Sequence, residues 1–212
     1  MESKIILALD LTDYQKSINI SKIISGEVYA IKIGYPLVLS HGIRIVKELS
    51  RYSKIICDFK LADIPNTNRI IAKLAKENGA MGIISHAFPG SDSLKAVIDE
   101  FKPGDIYAVV EMSHGGSLEY MQKHSMEMAR MAIDLGVDGF IVPGTRPERI
   151  KLYREISGRI KLLAPGIGTQ GGDPVEALRA GADYLIIGRS IYESDDPLLT
   201  VKKLNERINE NL

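Results

Sequence analysis

Short apolar runs alternate along this chain with longer stretches in which apolar positions recur every three or four residues. Residues 4–9, 28–33, 54–60, 81–85, 106–111, 139–142, 161–164 and 184–187 are nearly continuous in apolar character and predict strands buried on both faces. The stretches between them predict helices over residues 12–24, 37–50, 67–78, 91–101, 117–135, 147–156, 173–180 and 197–208. Gly26, Gly79, Gly136 and Gly181 stand where helices should stop, Ser91 where one should be capped, and Asp173-Pro174 where another should begin.

Strand and helix alternate from one end to the other, which calls for a parallel sheet covered by helices. The number and order of the units favour a closed (β/α)₈ TIM barrel, with an open doubly wound sheet as the alternative. At 212 residues, with no Pro/Gly/Ser linker, the expectation is a single domain over residues 1–212. Gly79-Ala80, Gly136-Val137-Asp138-Gly139 and Gly181-Ala182-Asp183 occupy matching corners before the fourth, sixth and eighth strands. Tight reversals at the barrel bottom account for them.

Charge narrows the partners. Lysine plus arginine and aspartate plus glutamate both number 27, so no overall field draws the chain to nucleic acid or an anionic membrane. Cys57 is the only cysteine, which rules out an intrachain disulfide and a paired-cysteine metal site. The N-terminus runs almost directly into a strand without signal-peptide character, and no stretch has the length of a membrane span. A cytoplasmic protein is expected.

The chemistry concentrates at strand ends. In Ile55-Ile56-Cys57-Asp58-Phe59-Lys60-Leu61-Ala62-Asp63, strand alternation puts Asp58 and Lys60 on one face and Cys57 and Phe59 on the other. Asp10 and Lys32 end the first and second strands, so a barrel would bring them to the same mouth. Such charges could form an ion network that closes the barrel. The C-terminal ends of barrel strands are also where active sites form, and an alternating row would pin an ammonium against a reacting atom.

Two glycine-rich stretches, Ala164 to Asp173 and Ile187-Gly188-Arg189-Ser190, follow the seventh and eighth strands. Either could be simple turns, but together they match the phosphate grip of a phosphate-binding barrel, with Arg189 as a charged fork. They contain no P-loop string. Ser113-His114 lacks the G-x-S-x-G context of a nucleophile, so Ser113 reads better as a hydrogen-bonding residue for substrate. The four histidines show no metal spacing, while Asp10, Asp58 and Asp63 leave a divalent ion open. Met121, Met126, Met128 and Met131 read as helix packing, and Cys57 as a small buried residue.

The motif Asp58-Phe59-Lys60-Leu61-Ala62-Asp63-Ile64-Pro65-Asn66-Thr67, with Leu7-Ala8-Leu9-Asp10, Pro165 to Pro174 and Ile187 to Tyr192, resembles the orotidine 5'-monophosphate decarboxylase family over nearly the whole chain. The resemblance implies a phosphate-binding barrel that converts orotidine 5'-monophosphate to uridine 5'-monophosphate and carbon dioxide in de novo pyrimidine biosynthesis, without metal or other cofactor. It implies a catalytic network of Lys32, Asp58, Lys60 and Asp63, and ribose contacts from Asp10, Lys32, Asp63 and Thr67. Ser113 would recognise the pyrimidine, Gln170, Gly188 and Arg189 the phosphate, and Pro165 would begin a closing loop. Asp63 and Thr67 would reach across a homodimer interface. Magnesium-dependent sugar-phosphate relatives share the Asp10 and Asp58/Lys60/Asp63 pattern but place a glutamate where this chain has Lys32, which favours the metal-free branch. An inactive phosphate- or nucleotide-binding barrel is the remaining alternative.

Overall fold

The eight apolar runs form eight parallel strands that close on themselves in the order of the sequence, the last pairing with the first. The structure, a computed structural model, describes residues 2–212. Its elements are β1 (Ile5–Ala8), α1 (Tyr14–Ile23), β2 (Ala30–Gly34), α2 (Tyr35–His41), α3 (Ile45–Leu49), β3 (Ile55–Leu61), α4 (Pro65–Glu77), β4 (Gly82–His86), α5 (Ser91–Phe101) and β5 (Asp105–Val109). After a single 3₁₀ turn at Gly115–Leu118 come α6 (Met121–Leu135), β6 (Gly139–Ile141), α7 (Pro147–Ser157), β7 (Lys161–Pro165), α8 (Pro174–Arg179), β8 (Tyr184–Ile187), α9 (Arg189–Tyr192) and α10 (Pro197–Asn211). This is the (β/α)₈ barrel, and the open sheet is excluded. Among the described residues no helix is long and apolar enough to cross a membrane.

Alternation along each strand divides the core in two. Ile5, Leu7, Ile31, Ile33, Ile55 and Cys57 face outward against the helices. Ile6, Ala30, Ile56, Ile84, Val109, Ile141, Leu163 and Ile186 fill the interior. Both faces of each strand are therefore dry, which is why the runs are continuous and not alternating. The thiol of Cys57 lies in the outer layer, where burial, reinforced by the Asp58 charge, pushes its pKa up to about 12. Met126, Met128 and Met131 pack against the same layer.

Three sequence expectations change at helix ends. The helix expected over residues 37–50 is two helices, because Gly42 adopts φ +77° between them and breaks the right-handed turn. The long helix expected from residue 117 begins at Met121, the preceding residues forming the 3₁₀ turn. Ser91 is the first helical residue of α5; Gly90 occupies the cap, with no side-chain hydrogen bond. By contrast α8 begins beside Pro174 as expected, and Asp173 caps it, accepting from the N–H groups of Val175 and Glu176.

The matching glycine corners carry more than a reversal. Asp138 accepts the N–H of Ile106 at 2.9 Å, and Asp183 accepts that of Leu162 at 2.7 Å. Each aspartate thus ties the start of its own strand to the neighbouring one at the bottom of the barrel.

Candidate active site

The C-terminal ends of the strands surround a cavity of about 290 Å³. Ile84, Ile141 and Ile186 give it an apolar floor, and Asp10, Lys32, Asp58 and Lys60 line one side. Ser113, Pro165, Gln170, Gly188 and Arg189 line it as well. Sequence reasoning named the polar residues and missed the isoleucines, although the inward parity of their strands carried that signal.

The four charged residues form one connected row. Lys32 Nζ lies 3.1 Å from Asp10 Oδ1 and 3.0 Å from Asp58 Oδ2. Lys60 Nζ donates to both carboxylate oxygens of Asp58 at 2.8 Å. Burial works against the charge of Lys32, but Asp58 and Asp10 outweigh it and raise its pKa. Burial likewise opposes ionisation of Asp58, and Lys32 with Lys60 outweigh it, holding the carboxyl below the usual carboxylate range. Both groups are therefore charged at neutral pH. Gly34 pairs with Asp58 across the sheet, and a Cβ there would stand 3.4 Å from Asp10 Oδ1, in ordinary contact with the row.

Regular alternation alone does not place Lys60. β3 runs from Cys57 to Leu61 while its partner β4 advances only from Ile83 to Ser85, so β3 bulges through Asp58, Phe59 and Lys60. Within the bulge Lys60 takes φ +42°, the one non-glycine residue at positive φ among those described. The Tyr35 hydroxyl donates to the Phe59 carbonyl at 2.6 Å, and its ring stacks on Phe59. No sequence signal pointed to Tyr35.

Beside Lys60 sits His86, whose Nδ1 is buried without a hydrogen-bond partner among the described residues. Burial, followed by the charge of Lys60 and against the pull of Asp58, pushes its pKa down to about 4. The ring is neutral at pH 7.

On the opposite rim, the Ser113 hydroxyl donates to Gln170 Oε1 at 2.8 Å. That loop is anchored from below: the fully buried Glu111 accepts from Arg149 Nε at 2.8 Å and from the Tyr153 hydroxyl at 2.6 Å. Arg146 and the Ser117 hydroxyl both donate to the Met112 carbonyl. Arg189 is exposed at the head of α9, free of acidic partners among the described residues.

Asp63 and Thr67 lie outside this arrangement. Asp63 is exposed beyond the end of β3 and Thr67 lies in the first turn of α4; among the described residues neither lines the cavity.

A sequence profile described as the orotidine 5'-phosphate decarboxylase / HUMPS family matches residues 3–204. The chain belongs to this family. Among curated relatives, the orotidine 5'-phosphate decarboxylase of Methanococcoides burtonii is 46% identical over 212 residues, covering 98% of each chain. That of Pyrococcus furiosus is 47% identical over 209 residues, covering 97% of this chain and 98% of its own. The crystal structure of orotidine 5'-monophosphate decarboxylase from Methanocaldococcus jannaschii, complexed with the inhibitor BMP, superposes with a TM-score of 0.93 at 41% identity, covering 99% of this chain and all of the other. The Pyrococcus horikoshii enzyme gives a TM-score of 0.91 at 43% identity, covering 97% and 99%. The decarboxylase family thus accounts for the barrel and for the full extent of the match.

Proposed function

We propose that this chain is a one-domain, cytoplasmic orotidine 5'-monophosphate decarboxylase of pyrimidine biosynthesis, acting as a homodimer without metal or other cofactor. Membership of the family supports the substrate. The observation that carries the chemistry is the unbroken row Asp10, Lys32, Asp58, Lys60, with contacts of 2.8–3.1 Å along one side of an otherwise apolar-floored cavity.

In this reading Ser113 bonds the pyrimidine, Asp10 and Lys32 the ribose, and Gln170, Gly188 and Arg189 the phosphate, with Pro165 at the edge of the closing loop. The bond from C6 to the carboxylate breaks, carbon dioxide leaves, and the electron pair stays on C6. The Lys60 ammonium stabilises that developing charge and then gives C6 its proton, taking one back from solvent. Asp58 holds Lys60 in place and crowds the departing carboxylate; the gain in transition-state binding lies chiefly with Lys60. A fixed row of charges needs no reorganisation as the reaction proceeds, which suits a reaction whose difficulty is charge.

The donor set fits a metal poorly. Asp10 and Asp58, the carboxylates a divalent ion would use, both bond the Lys32 ammonium. A cation would have to displace it against like charge.

The dimer reading follows from the family resemblance and is supported by apolar side chains left exposed on and near α4. Ile64, Ile70, Leu74 and Phe88 are exposed apolar side chains, 65%, 54%, 43% and 58% accessible, and Ile70 and Leu74 share one face of α4. A second copy related by a two-fold axis would cover them, and Asp63, in the loop before α4, and Thr67, in its first turn, would enter the partner's cavity.

The test is loss of orotidine 5'-monophosphate absorbance with purified protein, with and without EDTA. Expected is formation of uridine 5'-monophosphate and carbon dioxide at a rate EDTA leaves unchanged. Activity lost on chelation and restored by magnesium would replace this reading with metal-dependent sugar-phosphate chemistry. Tight nucleotide binding without turnover would leave a binding barrel.

A further inference from the structure

Asn68 is fully buried in the first turns of α4, yet it does not cap that helix. Its side-chain amide grips the backbone of Asp63 instead: the Asp63 N–H donates to Asn68 Oδ1 at 3.2 Å, and Asn68 Nδ2 donates to the Asp63 carbonyl at 3.0 Å. Ser93, 2% exposed on α5, donates from Oγ to the same carbonyl at 2.8 Å and accepts from Asn68 Nδ2 at 2.8 Å. Two buried side chains from successive βα units thus close a ring of hydrogen bonds around the backbone N–H and C=O of one residue in an exposed loop.

Packing does not call for this ring. Where α4 meets α5, an apolar residue would fill Asn68's place without a desolvated amide to satisfy, and a buried amide is costly unless its bonds are made. Here all its bonds go to Asp63 and to Ser93, the other residue holding Asp63. The Asp63 carboxylate itself points away from the ring, with Oδ1 accepting from the Ile64 N–H at 2.7 Å. The backbone is fixed from inside while the charge is left facing out.

We infer that Asn68 and Ser93 are positioning residues that aim the Asp63 carboxylate of one subunit at the cavity of the other. The inference rests on the proposal that Asp63 acts across the dimer. Neither residue touches the substrate; each acts only through Asp63. Their loss should therefore damage the partner's site and spare their own.

Subunit mixing reads that difference. Asn68→Ala alone should lower kcat about tenfold or more through misplacement of Asp63. Exchanged with Lys60→Ala subunits, it yields a mixed dimer with one site carrying both defects and one carrying intact Lys60 with a correctly held Asp63. An equimolar, fully exchanged mixture should then recover about a quarter of the wild-type rate. An Asp63→Ala and Lys60→Ala mixture, run in parallel, should recover as much. If the Asp63 mixture gains and the Asn68 mixture does not, Asn68 acts within its own barrel and the clamp is wrong. If neither gains despite verified exchange, the shared site itself fails and the clamp with it. Should Asn68→Ala not fold, Ser93→Ala, which removes a single hydroxyl, carries the same test: recovery on mixing supports the clamp, and unchanged kcat in Ser93→Ala overturns it.

Discussion

The hydroxyl of Ser113 donates a 2.8 Å hydrogen bond to Oε1 of Gln170, joining the loop after β5 to the loop after β7 across the cavity mouth. The contact leaves the Gln170 amino group free for an anion while its carbonyl is held. It also couples the residue proposed for the pyrimidine to one proposed for the phosphate. Ser113→Ala and Gln170→Ala should each lower kcat/KM about fivefold to tenfold, and the double variant should lose less than the product of the two. A fully additive pair would show that the hydrogen bond contributes nothing. Gly166 lies at φ +96°, and a Cβ there would stand 3.1 Å from Ser113 Cβ and 3.3 Å from Gln170 Oε1. Gly166→Ala should therefore break the same coupling.

Lys60→Ala should reduce turnover about a hundredfold or more while weakening uridine 5'-monophosphate binding far less, because the ammonium acts on the reacting carbon. Near-parent turnover in a folded variant would end the assignment. The backbone offers a second measurement. At φ +42° an alanine remains strained where a glycine does not, so Lys60→Gly should be about 1 kcal/mol more stable than Lys60→Ala in denaturant unfolding. Equal stabilities would mean the bulge relaxes once the lysine is gone.

Arg189 is proposed to act through the phosphate, whose binding organises a reaction centre it does not touch. Arg189→Ala should depress kcat/KM for orotidine 5'-monophosphate and leave the slow reaction of phosphate-free orotidine nearly unchanged. Equal damage to both substrates would place the arginine elsewhere in the mechanism.

His86 makes stability depend on pH. Its folded-state pKa is about 4 against an ordinary value near 6.5. Between those values the unfolded chain holds a proton that the folded chain lacks, so stability rises with pH across the window and falls as pH drops through it. The gap corresponds to roughly 3 kcal/mol at most. Urea unfolding at pH 4.5 and pH 7 should show a smaller difference for His86→Gln than for the parent; an unchanged difference would remove His86 as the cause. Asp58 and Lys32 act outside this window. The depressed Asp58 contributes stability that is present above about pH 4 and lost as pH falls through its lower folded value, and the raised Lys32 contributes stability present below about pH 10.4 and lost above it.

By itself the sequence determined the barrel and the cast of its mouth. Strands such as Ile5–Ala8 and Ile55–Leu61 announce themselves because burial on both faces makes them continuously apolar, and the polar residues that interrupt this pattern, Asp10, Lys32, Asp58 and Lys60, stand out against it. Gly136 likewise marks a helix end, whereas Gly42 sits inside a stretch that reads as one helix, and only its observed φ of +77° shows that it splits α2 from α3. What the tertiary structure decided depends on contacts between residues far apart in the chain. The bulge that turns Lys60 onto Asp58 arises from register between β3 and β4, which no local pattern encodes. Tyr35 reaches the Phe59 carbonyl, and Asn68 with Ser93 closes around Asp63, only after neighbouring βα units pack side by side. Apolar periodicity reports which face is buried. It does not report which buried polar atom meets which, because that choice is made by distance and direction in three dimensions.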